Sequence, residues 1–561
     1  MTDTTAGAQP AIKHARGAGT GEHGARRHAH PALILLIIAG AQLMVVLDGT
    51  IVNIALPSMG RYFSRNQTDM TWALNAYSLA FGGLLLLGGR MGDILGRRRM
   101  FVVGLTLFTT GSFLAGIAPS FGLLLAGRVV QGVGGAIASP TALSLITNEF
   151  EEGRERTRAI GVYAAVSGAG AALGLLLGGV LTNYFSWRWV LFVNVPIGVL
   201  LITGAVLYLH QSERLRGRFD FVGALISVSG MVSLVYGFIH VAQRGWGNTE
   251  TFAVFALAIV LLVGFVLFEA FGTTEPMMPM RIFENRNRSG TYVVMLVVGA
   301  AMFGMFYFIT FFVQGVRDYG PLKTGVSFLP VALTIGVMSQ VSARLLPKIG
   351  PKALMITGTS LLTISLLWLS TVGVNSSYAG KLLPGMLILA VAMGFLFVPL
   401  TVTAVSAVAN TDAGLASALL NVGQQVGGAL GLSVMTTVFG TAARSYSSSH
   451  QGGLFRTVHQ LPGALPGQVS QRLQEAGSNG LQKQDIAKFV ARLPTASQQA
   501  ARDFFNGPYA QFAHALQAHA SGRGFFAGAM FGVVAIIAAV VIINVKKTDV
   551  PTAPVDVAAL V

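Results

Sequence analysis

Residues Gly88 to Arg99 read GGRMGDILGRRR. Apolar runs of roughly twenty residues flank this stretch on both sides, and that length is sufficient to cross a bilayer. The stretch is therefore interpreted as a tight, basic turn between two membrane helices. Its glycines let the two helix ends approach closely, and Asp93 is placed to cap a helix start or to meet a helix N-terminal dipole. The arginines predict that the turn lies on the cytoplasmic side.

The composition indicates a protein that crosses the membrane many times. Of its 561 residues, 53% are hydrophobic and 11% are charged, whereas soluble proteins carry about 25% charged residues. A net charge of +16 would suggest a nucleic-acid partner in a soluble chain. Here the basic residues gather in short loops between apolar runs, so the positive-inside rule explains them and no nucleic-acid partner is expected. The absence of cysteine excludes disulfides and thiolate metal sites.

The hydropathy pattern predicts about fourteen membrane spans. An even number of spans places both termini on one side, and the Lys and Arg residues of alternate loops predict that this side is cytoplasmic. The approximate limits of the spans are 32–54, 70–90, 100–118, 121–146, 158–183, 189–209, 220–242, 251–272, 289–314, 324–345, 352–371, 383–408, 413–440 and 524–545. The basic residues are Arg97 to Arg99, Arg154, Arg156, Arg158, Arg214, Arg216, Arg218, Arg281, Arg286, Arg288, Lys348, Lys352, Lys546 and Lys547.

An internal repeat predicts two related halves. Residues Arg344 to Lys352 read RLLPKIGPK and match Arg90 to Arg98, RMGDILGRR, in their arginine, glycine and basic positions but not in the aspartate. Such repeats are common in transporters and place the substrate site at the interface of the halves. The predicted organisation is a disordered cytoplasmic tail (1–30), a six-helix bundle (31–210), two inserted helices (211–288), a second six-helix bundle (289–545) and a cytoplasmic tail (546–561).

A long extracytoplasmic loop is predicted at 441–523, inside the second bundle. Helix-like stretches near 467–476, 481–493 and 497–520 predict a partly helical hairpin or cap, which leads into the last span. The alternative is an unstructured insertion, because loops of this length are either functional or disordered.

Two charged residues within the spans are candidates for chemistry. Asp48 lies in the first span, and an acid in a membrane helix is costly and a functional candidate; the alternative is a cap near the outer helix end. Arg128, in the fourth span, needs a partner if it is buried. Asp48 is the most plausible partner because few other acids lie within the spans. Glu269, near the inner end of the eighth span, could instead snorkel to the interface.

The fifth and sixth spans carry uncharged motifs. Gly174, Gly178 and Gly179 allow close packing or bending of the fifth span. Trp187-Arg188-Trp189 and Asn194-Val195-Pro196 follow, and packing alone would explain both.

The later spans offer amides and aromatic rings in place of acids. Aromatic rings of the ninth span could clasp a lipophilic guest, although such rings can equally face lipid. The candidates for substrate contact are Asn53, Gln131, Phe303, Phe306, Phe312, Gln314, Asn421, Gln424 and Gln425.

The basic turn resembles the cytoplasmic signature of the major facilitator superfamily. Two further features, the block Leu47 to Pro57 and the number of spans, narrow the resemblance. In these features the chain resembles the fourteen-helix drug:proton antiporters of that superfamily, the QacA/EmrB type. Further matching stretches are Arg128 to Gly132, Trp187 to Pro196, Phe219 to Gly223 and Gly325 to Pro330. The resemblance implies an all-α membrane protein with the major facilitator fold, in which two six-helix bundles are joined by two extra helices.

The resemblance also implies roles for single residues. It places Asp48 and Arg128 in proton coupling. Gly89, Asp93, Gly96, Arg97 and Arg98 fall on the gating turn, and Gly174, Gly178 and Gly179 on the antiporter signature. Leu175 departs from that signature, which usually has proline at this position, as the similar EfpA-like pumps of mycobacteria also do.

The function implied is efflux of lipophilic or cationic drugs across the plasma membrane, driven by the proton motive force. We therefore expect no enzymatic activity, no metal and no cofactor besides the coupling proton. The expected partners are a small lipophilic substrate and membrane lipids, and the protein is expected to be a monomer. Alternatives are an exporter of a lipid or an endogenous metabolite such as an antibiotic, a nutrient symporter, and a sensor. No phosphate-binding loop of the GxxxxGK[ST] type occurs in the sequence, so ATP is not expected to drive transport.

Overall fold

The structure, a computed structural model, describes residues 31–545 except 151–153, 212–218, 274–275, 406–412, 464, 477–480 and 482. The predicted tails 1–30 and 546–561 lie outside these residues, as does most of the basic loop containing Arg214, Arg216 and Arg218. Thirteen helices among the described residues are long and apolar enough to cross a membrane. A further helix, Arg154–Tyr184, has 31 residues, which is long enough to cross a bilayer, and with it the number of long helices equals the predicted fourteen. The prediction of an all-α, multi-pass membrane protein is confirmed.

The first bundle contains six membrane-crossing segments in close contact. The third and fourth pack closely because glycines face the backbone of the other helix, where an added Cβ would lie within 3 Å of a main-chain atom (Gly104, Gly111, Gly127 and Gly134). The sixth segment consists of two helices that meet at Val193. The helices are α1 (Pro31–Phe63), α2 (Gln67–Leu95), α3 (Arg97–Ile117), α4 (Phe121–Glu149), α5 (Arg154–Tyr184), α6 (Trp189–Phe192) and α7 (Asn194–Tyr208).

The two inserted helices form an antiparallel hairpin, α8 (Phe221–Arg244) and α9 (Thr249–Leu267). Asp220 caps α8 by accepting a hydrogen bond from the backbone N–H of Gly223. A π-helical turn, Phe268–Gly272, continues α9. α8 packs against α2, whereas most of the apolar surface of α9 is exposed, as expected of a helix that faces lipid.

The second bundle is longer than the first because its last two spans extend beyond a bilayer. A 3₁₀ turn, Met280–Phe283, leads into it, and a π-helical turn, Tyr378–Leu382, precedes its fourth span. The helices are α10 (Arg286–Gly315), α11 (Pro321–Ser327), α12 (Leu329–Ile349), α13 (Pro351–Ser370), α14 (Leu383–Val405), α15 (Ala413–His459), α16 (Leu465–Ala476), α17 (Lys483–Arg492), α18 (Thr495–Phe504) and α19 (Ala510–Val541).

The segment predicted as a long loop is largely helical. α15 has 47 residues, more than twice the roughly 20 that a bilayer requires, so its second half continues beyond the predicted limit of 440. The predicted helical stretches near 467–476 and 481–493 correspond to α16 and α17. The third, near 497–520, is divided between α18, a π-helical turn and α19. These elements share an apolar core: Leu454, Val458, Leu465, Val469, Val490, Leu493, Ala501, Phe504, Phe505 and Tyr509.

The first span is longer than predicted. We expected it to end near residue 54, before Pro57, but α1 continues to Phe63 with the proline inside it. Proline removes one helical hydrogen bond, and membrane helices tolerate this loss where neighbouring helices surround them. Pro57 is buried, which is consistent with this explanation.

The predicted repeat has a structural counterpart in two equivalent turns. Gly96 joins α2 to α3 with φ of +101°, and Gly350 joins α12 to α13 with φ of +82°. Residues with a side chain rarely adopt these backbone angles, so glycine is required at both junctions. The duplicated motif therefore encodes the same sharp reversal in each half.

The two bundles contact each other along α2 and α15 and at the end of the bundles that lies opposite the two glycine turns. We call the end that holds the Gly96 and Gly350 turns the terminal side, because α1 begins and α19 ends there, and the opposite end the far side. On the far side, Gln314 Nε2 donates to the carbonyl of Ile54 at 3.0 Å, and the Tyr307 hydroxyl donates to the carbonyl of Gln67. α5 also packs tightly against α11, where an added Cβ on Gly179 would lie 2.9 Å from the carbonyl oxygen of Pro321.

Candidate functional site

The centre of the first bundle contains a buried ion pair. Asp48 lies near the middle of α1, and Arg128 lies in the second turn of α4. Arg128 Nη1 is 2.5 Å from Asp48 Oδ2, and the two side chains are 1% and 0% exposed. The predicted pairing of these residues is therefore present. The alternative of a helix-end cap is wrong for Asp48, because α1 continues for four turns beyond it.

Polar side chains from three helices complete the surroundings of Asp48. Its Oδ1 accepts hydrogen bonds of 3.0 Å from Gln131 Nε2 and from Asn194 Nδ2. The same two amides donate to Ser112 Oγ, at 2.6 and 3.0 Å. Because all three neighbours are buried, the carboxylate exchanges its water shell for fixed donors, which makes a buried charge tolerable.

Arg128 is held on its other sides by α2. Its Nε donates to the carbonyl of Ala73 at 2.9 Å, and its guanidinium carbon lies 4.4 Å from the centre of the Tyr77 ring. Nη1 also donates to Gln131 Oε1 at 3.0 Å. A cation over an aromatic face is attracted by the ring quadrupole, most strongly where water is excluded. The pair thus connects α1 to α4 through the carboxylate and α4 to α2 through the guanidinium.

Sequence reasoning missed part of this network. Asn194 was noted only in a motif that packing could explain, yet its side chain contacts Asp48 directly. The available signal was the position of Asn194 inside an apolar span, where an amide needs a partner. Gln131 was predicted to contact substrate. In this conformation it is fully buried and its side chain is occupied by Asp48, Arg128 and Ser112.

The basic turn is held together by ion pairs and backbone contacts. Arg97 pairs with Asp93 at 3.1 Å and donates to Asn148 Oδ1 of α4 at 2.5 Å. Arg98 donates to the carbonyls of Ala205 and Val206, at the end of α7. Asp93 does not cap a helix start, which was one of its two expected roles, because it lies in the last turn of α2; its carboxylate faces Arg97, the first residue of α3.

The glycines of α5 mark close helix contacts, whereas Gly89 of the turn leaves an ordinary van der Waals distance to its neighbour. Gly89 faces Pro140 of α4, with 3.6 Å between an added Cβ and the proline ring. On α5, added Cβ atoms at Gly174 and Gly178 would lie within 3 Å of the carbonyls of Leu47 and Ile51, on either side of Asp48 along α1.

Leu175, which stands where the antiporter signature has proline, is part of the buried core at 1% exposure. Its carbonyl faces Gly325 of α11, 2.5 Å from where a Cβ would lie, so this position serves the contact between bundles.

The amides proposed for substrate contact have different surroundings. Asn421 is exposed, and Gln424 Nε2 lies 3.8 Å from the sulfur of Met302. Gln425 has a buried Oε1 to which no described residue donates a hydrogen bond. Asn53 is buried and donates to the carbonyl of Gly49 at 3.2 Å, and Gln314 bridges the bundles as described above.

The aromatic candidates of α10 pack inside the protein. Phe303 is half-buried beside Gly428 of α15. Phe306 is buried and its ring centre is 5.2 Å from that of Phe328. Phe312 is fully buried in the core. The alternative that such rings face lipid is therefore wrong for Phe306 and Phe312. Glu269, for which snorkelling to the interface was one option, is also buried, at 3% exposure.

Comparison with known proteins agrees with this architecture. The chain is similar to the puromycin resistance protein pur8 of Streptomyces alboniger, with 42% identity over 420 residues that cover 74% of this chain and 83% of the relative. It is also similar to the uncharacterized MFS-type transporter EfpA of Mycobacterium tuberculosis, with 36% identity over 406 residues, 72% of this chain and 76% of the relative. Other relatives carry the names of antibiotic export and resistance proteins.

A solved structure shares the fold. A bacterial homologue of the human lysosomal transporter Spinster, in an inward-facing and occupied conformation, superposes with a TM-score of 0.59 and 14% identity, covering 93% of this chain and 98% of that one. Residues 38–432 match the Major Facilitator Superfamily, and this range includes the ion pair, the basic turn and most membrane helices. The chain is a membrane transporter that belongs to the Major Facilitator Superfamily.

Proposed function

We propose that this transporter exports lipophilic or cationic drugs, antibiotics among them, in exchange for protons. The observation that carries the proposal is the buried pair of Asp48 and Arg128, a charge in the middle of a membrane helix with one cationic partner. Buried charges are retained in membrane helices mainly where they serve transport.

In the proposed cycle, protonation of Asp48 is the switch. A proton on the carboxyl removes the charge that holds Arg128, while the amides of Gln131 and Asn194 can still bind the neutral group. The loss of attraction frees α1 to move relative to α4, which biases a two-state arrangement of the bundles. The membrane potential contributes about 2.3 kcal/mol per charge per 100 mV to this step.

The basic residues of the terminal side support placing that side in the cytoplasm of a plasma-membrane protein. Because the bundles contact each other on the far side, through Gln314 and Tyr307, we assign this conformation to the state that opens towards the cytoplasm. Substrate would enter from the cytoplasm or the inner leaflet and leave on the far side after the bundles rock.

The proposed substrate surface combines the amides of α15 with the aromatic rings of α10. Asn421, Gln424 and Gln425 supply polar contacts, and Phe303 and Phe306 supply apolar ones. With no acid among them, the surface suits a lipophilic guest that carries at most a delocalised positive charge. The proposal includes no cofactor besides the proton, no nucleic-acid partner and a monomeric protein in contact with membrane lipids.

The test is transport by the purified protein in vesicles under an imposed proton gradient. The probes are ethidium, a lipophilic cation, and puromycin, which the name of one relative favours as cargo. We expect gradient-dependent movement of at least one probe by the wild type and none by Asp48→Asn. Asp503→Asn is the matched control, because this exposed acid lies in α18, away from the pair.

Transport of both probes at the wild-type rate by folded Asp48→Asn would refute the role of Asp48. If the folded wild type transported neither probe, the alternative of lipid or endogenous-metabolite export would replace drug efflux. The molecules that co-purify with the protein would then be identified by mass spectrometry.

A further inference from the structure

The inserted hairpin contains a second pair of buried acids, far from Asp48 in the chain. Asp220 caps the start of α8, and Glu269 lies in the π-helical turn after α9. These two ends of the hairpin meet on the terminal side. The residues are 8% and 3% exposed, so both are more than nine-tenths buried.

One oxygen of each carboxyl has a donor and the other has none. Asp220 Oδ1 accepts from the N–H of Gly223 at 2.7 Å, and Glu269 Oε2 accepts from the N–H of Met278 at 2.9 Å. Asp220 Oδ2 and Glu269 Oε1 are buried, and no described residue donates a hydrogen bond to either.

The two oxygens without donors converge on one point. They lie 2.5 and 2.8 Å from the position that a Cβ on Gly223 would occupy. Glycine at this position therefore leaves room for both carboxyl groups. The Asp220 and Glu269 carboxyl groups therefore face each other across this position.

Two ionised carboxylates facing each other in this way are unfavourable, because both are acceptors only and their charges repel in a buried site. A proton on one of them supplies the missing donor and removes the repulsion. Among the described residues, the electrostatic neighbours of the Glu269 carboxyl are the Asp220 carboxyl and the backbone N–H groups of Met277 and Met278. None of these neighbours is a cation. The nearest ionisable residues in the chain, Arg214, Arg216, Arg218, Glu213 and Glu275, lie outside the described residues.

We propose that Asp220 and Glu269 share one proton and form a proton-binding site separate from the Asp48–Arg128 pair. The site has a mechanical consequence. Through Met278, Glu269 fixes the segment that connects the hairpin to α10, the first helix of the second bundle. Loss of the proton leaves two facing negative charges and loosens this connection, so the folded state loses stability as pH rises through the titration of the pair.

The test is infrared spectroscopy of the full-length protein in lipid, titrated from acid to alkaline pH. Asp48→Asn is used as the background, so that no signal arises from the other site. We expect one carbonyl band of a buried protonated carboxyl that shifts in D₂O and disappears at alkaline pH. Glu269→Gln and Asp220→Asn should each remove this band, whereas Glu284→Gln, an exposed acid in the same connecting segment, should retain it.

Thermal unfolding gives a second, independent readout. The melting temperature of the background protein should fall with rising pH more steeply than that of Glu269→Gln, whose amide donates to Asp220 at every pH. The proposal is overturned if the background protein shows no titrating band, or if the band survives in both Glu269→Gln and Asp220→Asn. If either amide variant fails to fold, Gly223→Ala takes its place. The added methyl group fills the space between the oxygens, so it should displace the pair and weaken the band. Neither measurement depends on transport, so the outcome is independent of the proposed function.

Discussion

The two halves of this transporter have the same helical plan but different interiors. Each half contains the same reversal between its second and third spans, made by Gly96 in the first and Gly350 in the second. The first half encloses a polar centre built on Asp48 and Arg128. The second half encloses aromatic rings instead. One of them is Phe308, whose ring centre is 5.7 Å from those of Phe439 and Phe525.

This difference indicates a division of labour between duplicated halves. A buried ion pair depends on the direction of the hydrogen bonds that surround it, so its neighbours respond strongly to the loss of one charge. An aromatic core is stabilised by buried apolar area and by the fit of its rings. Its stability therefore does not depend on the charge of any group. Under the proposed function, the first half responds to protons, and the second packs and contacts the lipophilic substrate.

The largest expected effect is on the ion pair. Arg128→Met leaves the Asp48 carboxylate buried without its cation, and breaking a buried pair in this way costs about 3–5 kcal/mol. The melting temperature in detergent should fall sharply. The double variant Asp48→Asn, Arg128→Met should recover most of the loss because no charge remains. Equal melting temperatures for Arg128→Met and the wild type would show that the pair is not ionised.

A smaller effect is expected from the amide that sequence reasoning missed. Asn194→Ala removes hydrogen bonds to Asp48 and to Ser112, and bonds to a charged group contribute about 2 kcal/mol. Asn75→Ala is the matched control, since Asn75 donates to the neutral Ser433 at 3.0 Å. Thermal unfolding of both variants should show the larger loss for Asn194. A larger loss for Asn75→Ala would show that Asn194 does not stabilise the charge of Asp48.

The architecture could be predicted from the sequence because it depends on long-range patterns. The length of apolar runs, the basic loops and the repeated glycine motif determine how many spans there are and where the chain turns. The pairing of Asp48 with Arg128 followed from elimination, because a buried charge needs a partner and few acids were available.

Other features depend on contacts that no local pattern encodes. Asn194 joins the ion pair only through the packing of α7 against α1 and α3. The burial of Glu269 follows from the return of the connecting segment to its carboxyl through Met278. The length of α1 depends on neighbours that tolerate Pro57. In each case the deciding group is distant in sequence or is a backbone atom.

The two reversals give the next prediction. Gly96→Ala and Gly350→Ala should each destabilise the protein by about 1–2 kcal/mol, because both backbones are in a region that side chains disfavour. Gly122→Ala in α4 is the control, since an added Cβ there meets nothing within 4 Å. Transport should suffer more from Gly96→Ala, because this glycine adjoins Arg97 and its pairing with Asp93. Equal loss of transport in both variants would mean that the turns also share their function.

The smallest expected effect is on the balance between conformations. Gln314→Leu removes the bond from the second half to the Ile54 carbonyl of the first, a contribution of about 1 kcal/mol or fivefold in population. The chain has no cysteine, so a single Asn421→Cys substitution can report how open the terminal side is. Labelling at this exposed position should slow when Gln314→Leu favours opening on the far side. Gln517→Leu is the matched control, because Gln517 donates to Phe311 within the second half and leaves the contact between halves intact. Slower labelling in both variants would show that the bond between halves has no special effect, and that the second half responds to any lost glutamine contact.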